Sequence, residues 1–223
     1  NMHVHISAAY ELDDNGSFLN TILANGATAG LAHTTATYEQ ATALVARGVR
    51  AFSHLFNAMP PIHHRAGGAV LAGLLSDAYV EIICDGKHLP HSMLGYVFRA
   101  KGTDKCALVT DAMRGAGMTE GKTILGSLTN GQECYIEDGV AKMSGGEAFA
   151  GSVATTDRLV RNAIAAGASL EDAVKMMTST PARLCNMHDR GDIVAGKRAD
   201  FTVFDEEINI IAVVSGGKII YER

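Results

Sequence analysis

The sequence predicts an α/β protein built on a parallel sheet that is covered by helices. Apolar, β-branched segments of strand length alternate with helical patterns along residues 4–110. These segments are apolar on both faces, which is typical of parallel strands buried under helices. The polar residues best suited to catalysis or metal binding follow the ends of these segments. Together these observations favour βα units arranged in series.

Five strands are predicted in the first half of the chain, at 4–9, 28–33, 49–54, 80–84 and 105–110. Helices are predicted between them at 17–25, 38–47 and 69–75, and a fourth begins near Pro90. In each helical segment the apolar residues recur on one face. This spacing is that of successive βα units.

The pattern changes after Asp111. Residues 112–150 are rich in glycine, and the short alternating runs 133–136 and 140–143 predict hairpins or a long, shaped loop. Helices are expected again at 156–166 and 170–178, the second capped by Ser169, and Thr180-Pro181 can start one more. Three strands are expected at 201–204, 208–214 and 218–221.

The composition excludes several classes of protein. The chain has 223 residues, 47% of them hydrophobic, and 19 Lys+Arg against 24 Asp+Glu give a net charge of −5. This balance excludes intrinsic disorder and argues against a nucleic-acid surface. No apolar run is long enough to span a membrane. The four cysteines form no CxxC pair and are expected to be reduced thiols, so the predicted location is cytoplasmic.

Candidate catalytic residues stand at four predicted strand ends. His33, His54 and Asp111 end strands, and the fourth strand leads into Asp85-Gly86-Lys87-His88. Parallel α/β barrels carry their active sites at this edge. Two imidazoles and a carboxylate suit a Zn²⁺-type site that activates water. A single histidine there is more often a hydrogen-bonded residue at the edge of a core, but the ordered set favours function.

Longer motifs resemble the N-acetylglucosamine-6-phosphate deacetylases of the amidohydrolase superfamily. The most specific signature is His54-Leu55-Phe56-Asn57-Ala58-Met59 followed by His63-His64-Arg65. Further similar segments are 30–38, 83–88, 108–112, 150–152 and 191–200. The resemblance covers essentially the whole chain in the family's order.

The resemblance implies a fold larger than this chain. It identifies residues 1–190 as the carboxy-terminal part of a (β/α)8 TIM-type barrel, with a Gly-rich hairpin or loop region at 112–150. Residues 191–223 would then be strands of a small β-sandwich domain completed by upstream residues that are not in this chain. Family members commonly form homodimers.

The resemblance also implies an activity and a set of site residues. The activity is metal-dependent removal of the N-acetyl group from N-acetylglucosamine 6-phosphate, with Zn²⁺ the first expectation and Fe, Mn or Co as alternatives. His33 and His54 fall on the metal ligands, and Asp111 falls on the general base and acid. The positions matching substrate-binding residues are Asn57, Ala58, Arg65, His88 and, in a loop closing over the substrate, Phe149, Ala150 and Gly151.

Departures from the family pattern leave alternatives open. The family's third protein ligand is a Glu in a Glu-Gly-Pro motif, and this chain has no such motif. The alternative functions are N-acetylgalactosamine-6-phosphate deacetylase, another amidohydrolase, or an inactive sugar-phosphate-binding homologue. His3 and His5 alternate as a metal-binding pair would, but we expect them to be surface or strand-end histidines.

Overall fold

A computed structural model describes residues 4–13, 15–145 and 148–223. A parallel sheet runs through the first half, with strands β1 (His5–Ala8), β2 (Thr28–Leu31), β3 (Val49–Phe52), β4 (Tyr79–Ile83) and β5 (Cys106–Val109). His3 lies outside the described residues.

The helices that follow these strands are α1 (Ser17–Ala24), α2 (Tyr38–Ala46), α3 (Gly68–Leu75) and α4 (His91–Lys101). Later in the chain come α5 (Thr156–Ala165), α6 (Leu170–Met177) and α7 (Ser179–Leu184). Short 3₁₀ turns occupy Tyr10–Leu12 and Thr103–Lys105.

Two antiparallel sheets complete the described fold. The first contains β6 (Gly121–Leu125), β7 (Gln132–Glu137), β8 (Val140–Met143) and β9 (Phe149–Ser152). The second contains β10 (Phe201–Phe204), β11 (Ile210–Ser215) and β12 (Lys218–Glu222).

The parallel sheet confirms the predicted fold class. Its strands pair in chain order, β1-β2-β3-β4-β5, and every pairing is parallel. Successive helices from α2 to α7 also contact one another in order. A doubly wound sheet would reverse its strand order part-way, whereas an arc of a barrel does not. No helix among the described residues is long and apolar enough to cross a membrane.

The main core lies between the parallel sheet and its helices. Its largest fully buried side chains include Phe52, Ile82, Leu94, Leu108 and Leu159. Local signals start the helices where the sequence predicts them. Thr37 and Gln40 form a capping box at α2, and Ser169 accepts a hydrogen bond from the Asp172 N–H at α6.

The structure differs from the prediction in the region between Asp111 and α5. Residues 112–150 form successive antiparallel hairpins, β6-β7-β8-β9, which is the first of the two expected alternatives, with strands at β6 and β9 that the short runs 133–136 and 140–143 do not include. The expectation of a loop at Phe149, Ala150 and Gly151 is wrong, since these residues lie in β9. Strand β9 pairs with β8 as a hairpin, and its residue Ser152 also bridges to Ala112, a non-local contact that a local pattern does not reveal.

Strand β9 is also tied to the end of β5. The Ser152 N–H donates to the Asp111 carbonyl at 2.9 Å, and the Met113 N–H donates to the Ser152 carbonyl at 2.9 Å. Gly151 permits this approach because its φ is +106° and a Cβ there would lie 3.1 Å from the Asp111 carbonyl oxygen. The antiparallel sheet is therefore anchored at a candidate catalytic residue.

This close approach predicts that Gly151→Ala destabilises the complete protein more than Gly167→Ala. Both glycines have positive φ, +106° and +99°, so each substitution brings backbone strain of about 1–3 kcal/mol. At Gly167 a Cβ would meet nothing within 4 Å among the described residues, whereas at Gly151 it would press on Asp111. We expect an extra loss of about 1 kcal/mol in the free energy of unfolding, measured in urea. Equal losses would show that the approach is not tight.

Candidate active site

His33, His54 and Asp111 share one backbone feature. Each lies two residues beyond the last residue of its strand, β2, β3 or β5. All three have left-handed backbone, with φ of +47°, +32° and +47°. For residues other than glycine this conformation is strained, and such strain clusters at functional sites. The turn at each strand end aims these side chains at one edge of the sheet.

The two histidines form a close pair. Their ring centroids lie 4.6 Å apart, with the ring planes at 83°. The His54 Nδ1 atom is buried and has no hydrogen-bond partner in the described structure. Buried polar atoms are almost always satisfied, so an unpaired imidazole nitrogen beside a second imidazole fits a metal ligand.

A cavity of about 360 Å³ joins the histidines to Asp111. Its walls also include Ser7, Ser53 and the Glu81 side chain, which projects from the middle of β4. Two carboxylates thus face the same space as the two imidazoles. The cavity is large enough to hold water and part of a small substrate.

Glu11 is a further ionisable residue near this edge, and sequence reasoning missed it. It lies in the 3₁₀ turn that follows β1, and its carboxylate accepts hydrogen bonds from the Thr34 hydroxyl and the Thr35 N–H and hydroxyl. These residues come directly after His33. Burial works to raise the pKa of Glu11, but the hydrogen bonds from Thr35 and Thr34 outweigh it and lower that pKa. The available signal was an acidic residue just after the first strand.

In the described part of the chain, no three His, Cys, Asp or Glu side chains already form a metal-binding group. His33 and His54 can supply two nitrogen ligands, while the Glu11 carboxylate is engaged by Thr34 and Thr35. Imidazole is a ligand that Zn²⁺ accepts. The two histidines therefore fit part of a metal site, and Glu11 holds the turn that follows His33.

His88 stands on the loop after β4 and is held by Asp85. Its Nδ1 atom lies 2.7 Å from Asp85 Oδ2, and its ring contacts the Phe149 ring edge-on at 5.0 Å between centroids. Burial works to raise the pKa of Asp85, but hydrogen bonds from His88 and Lys87 outweigh it and hold that pKa below its usual value. Two elements far apart in the chain thus form one wall beside the strand ends.

The other residues predicted to bind substrate lie in different surroundings, and not all of them reach the cavity. The Asn57 side-chain amide donates to the His54 carbonyl at 3.0 Å, so it braces the turn after β3. Ala58 is exposed and has φ of +52°. Arg65 is exposed in the loop before α3, and its guanidinium makes no hydrogen bond with the described residues. The structure does not bring Arg65 into the cavity.

The three predicted residues of β9 face different ways. Phe149 is exposed beside His88, and Gly151 lies against Asp111. Ala150 is buried in a small second core with Cys134 and Ile136. The Ala150 side chain therefore belongs to packing, and Phe149 offers a side chain at the site.

His5 is a strand-end residue, one of the two placements that the sequence predicts, but its side chain is largely buried and not at the surface. It lies at the start of β1, and its Nδ1 atom is 2.8 Å from the Thr28 hydroxyl. Its Nε2 atom is 3.3 Å from the Ser7 hydroxyl and 3.7 Å from Glu81 Oε1. Burial lowers the pKa of His5, against the opposing effect of the Glu81 carboxylate. Its neighbours Ser7 and Glu81 line the cavity.

Comparison with known proteins places this geometry in a family. The amidohydrolase family model matches residues 21–220. The N-acetylglucosamine-6-phosphate deacetylase of Lysinibacillus sphaericus is 33% identical over 216 residues, which cover 96% of this chain and 54% of that protein. The N-acetylgalactosamine-6-phosphate deacetylase of a Shewanella species is 34% identical over 209 residues, covering 92% and 51%.

A solved structure agrees with the chain over the same extent. It is a variant of the N-acetyl-D-glucosamine-6-phosphate deacetylase from Mycobacterium smegmatis in complex with N-acetyl-D-glucosamine-6-phosphate. The TM-score is 0.88 at 31% identity, and the match covers 96% of this chain and 57% of that one. The chain thus spans about half the length of the relatives it matches. Since the family model covers most of its residues, the chain belongs to the amidohydrolase family.

Proposed function

We propose that the complete protein hydrolyses the N-acetyl group of N-acetylglucosamine 6-phosphate, giving glucosamine 6-phosphate and acetate. The observation that carries this proposal is the shared cavity of His33, His54 and Asp111 at the strand ends. The names of the similar proteins support the substrate class. The chain matches only about half the length of each of these proteins, so the activity is proposed for the complete protein.

The amidohydrolase family generally depends on divalent metal ions. We propose that His33 and His54 hold this ion, with Zn²⁺ favoured by the ligand types and Fe, Mn or Co as alternatives, and that Glu11 fixes the turn after His33 through Thr34 and Thr35. When bound, such an ion lowers the pKa of water and polarises an amide carbonyl. The support is the close pair of rings, the unpaired His54 Nδ1 and the carboxylate beside residues 34 and 35.

Asp111 is the residue best placed to move protons. Its backbone is fixed by β5 on one side and by the hydrogen bond from Ser152 on the other. A carboxylate there can take a proton from the attacking water and return it to the departing amine. General acid–base catalysis of this kind contributes about 10²–10⁴-fold in rate.

The phosphate is the anionic part of the proposed substrate, and Arg65 is the side chain proposed to bind it. A guanidinium suits phosphate because it donates two parallel hydrogen bonds. The Arg65 guanidinium is exposed and makes no hydrogen bond within the described chain, so it is available to a ligand. Asn57, Ala58, His88, Phe149, Ala150 and Gly151 are the other proposed substrate contacts, Ala150 through its backbone.

The second candidate substrate is N-acetylgalactosamine 6-phosphate. The similarity to the Shewanella protein favours it, at an identity close to that of the glucosamine relatives. A cytoplasmic location and a homodimer also stay predictions.

The metal proposal predicts that Glu11→Gln weakens metal binding of the complete protein at least tenfold. A neutral amide accepts weaker hydrogen bonds from Thr34 and Thr35 than a carboxylate does, and loss of such an indirect partner of a metal site costs about 10–100-fold. Glu206→Gln, in an exposed turn, is the matched control. The measurement is metal content after dialysis against graded chelator. Metal retention equal to that of the control would remove Glu11 from the site.

The proton-transfer proposal predicts that Asp111→Asn lowers the turnover number by at least about 10²-fold. The amide is isosteric but cannot accept the water's proton or deliver it to the amine. Substrate binding and metal content should stay nearly unchanged. Steady-state kinetics and metal analysis of the same sample check this. Loss of the metal would instead make Asp111 primarily a ligand, and normal turnover would place the general base elsewhere.

The phosphate proposal predicts that Arg65→Ala raises KM for the phosphorylated sugar much more than for N-acetylglucosamine. A charge-assisted hydrogen bond contributes about 1.5–3 kcal/mol, so kcat/KM should fall about 10–150-fold. Ile62→Ala, in the same exposed loop, controls for disturbance of the loop. Equal losses on both substrates would exclude Arg65 from phosphate recognition.

A further inference from the structure

The His88 ring has two nitrogens in very different surroundings. Nδ1 lies 2.7 Å from Asp85 Oδ2, and both side chains are almost fully buried, at 5% and 0% exposure. Nε2 makes no hydrogen bond with the described residues. The ring also packs edge-on against Phe149, a second residue proposed to contact the substrate. One nitrogen is therefore committed to the protein and the other is left for a ligand.

Asp85 itself has no freedom to turn away. Its Oδ1 atom accepts the backbone N–H groups of Lys87 at 2.8 Å and His88 at 2.9 Å, which leaves Oδ2 for the imidazole. The Asp85 carbonyl accepts from the Arg158 guanidinium at 2.8 Å, and the preceding Cys84 carbonyl accepts from Asn162 at 3.0 Å. Two side chains of α5 thus hold the end of β4 from behind.

This arrangement fixes the position of a proton. An ionised carboxylate only accepts hydrogen bonds, so the Nδ1 atom that faces it must carry hydrogen. The nitrogen that is protonated in a neutral imidazole is set by the hydrogen bond that its other nitrogen makes. In the neutral ring, Nε2 then presents a lone pair.

We propose that Asp85 is a positioning residue that holds His88 in its Nδ1-protonated form, so that Nε2 accepts a hydrogen bond from a sugar hydroxyl. The kinetic part of this proposal rests on the proposed function, because it requires an amino-sugar phosphate as substrate. The protonation of the ring can be tested without any substrate.

The decisive variant is Asp85→Asn. Its carbonyl oxygen can keep the two backbone hydrogen bonds, which leaves the amide NH₂ facing His88 Nδ1. An NH₂ group donates, so Nδ1 must become the acceptor and the proton must move to Nε2. The substitution therefore reverses the hydrogen-bonding polarity that the ring shows to the substrate without changing its shape.

The first experiment is ¹⁵N NMR of the complete protein labelled at histidine, at a pH where the ring is neutral. The His88 signals are assigned by their loss in His88→Gln. We expect hydrogen on Nδ1 in the native protein and on Nε2 in Asp85→Asn. Hydrogen on Nε2 in the native protein, or the same form in both proteins, would overturn the proposal.

The second experiment compares kinetics with N-acetylglucosamine 6-phosphate. Asp85→Asn should lower kcat/KM about 10–100-fold, mainly through KM. Asp77→Asn, at an exposed position, should leave it unchanged. If Asp85 acts through His88, then adding Asp85→Asn to His88→Gln causes little further loss. Fully additive losses would show that Asp85 acts on stability instead.

The two experiments separate two kinds of failure. If the native protein shows the expected ring form but no activity on the sugar phosphate, the proposed function is wrong and the Asp85–His88 pairing stands. If the protein is active but His88 carries its proton on Nε2, the pairing is wrong and the proposed function stands.

Discussion

Parallel pairing of five successive strands is the constraint on which the site depends. Because every strand of β1–β5 runs in the same direction, the residues that follow them must meet at one edge. Backbone hydrogen bonds between neighbouring strands continue into the residues that follow the strands. Ser53 N–H donates to the Leu31 carbonyl and Leu55 N–H to the Glu81 carbonyl, so both neighbours of His54 are fixed. The sheet thereby sets where the histidine ring can lie.

The same edge carries the strain in the structure. His33, His54 and Asp111 each adopt left-handed backbone, at a cost of about 1–3 kcal/mol per residue. Such conformations persist only where the surroundings impose them. Here the buried strands on one side and the hydrogen-bonded turns on the other impose these conformations. In the turn after β3, the Asn57 side-chain amide donates a hydrogen bond to the His54 carbonyl. The core thus stabilises left-handed backbone at three residues whose local sequence does not favour it.

The sequence predicts those parts of the molecule whose cause is local. Alternation of apolar strands and amphipathic helices indicates the parallel sheet, and His33, His54 and Asp111 are recognisable because they directly follow buried strands. The position of strand β9 at the site is not predictable in this way, because it depends on pairing with the end of β5, which is distant in the chain. Glu11 escapes detection because it belongs to no motif and reaches the edge through a 3₁₀ turn. Its position depends on Thr34 and Thr35, which are distant in the chain.

Asp111 lies where the two kinds of sheet meet, and this explains how one residue can be held more firmly than its neighbours. Strand β5 sets its direction, and β9 pairs with its carbonyl through Ser152. The Arg158 guanidinium joins the same two regions a second time, because it donates to the Gly139 carbonyl in the turn between β7 and β8 as well as to Asp85. The antiparallel sheet is therefore fixed to the strand ends at two points. The proton transfer proposed for Asp111 requires such a fixed carboxylate, whereas the phosphate recognition proposed for Arg65 tolerates a side chain on an exposed loop.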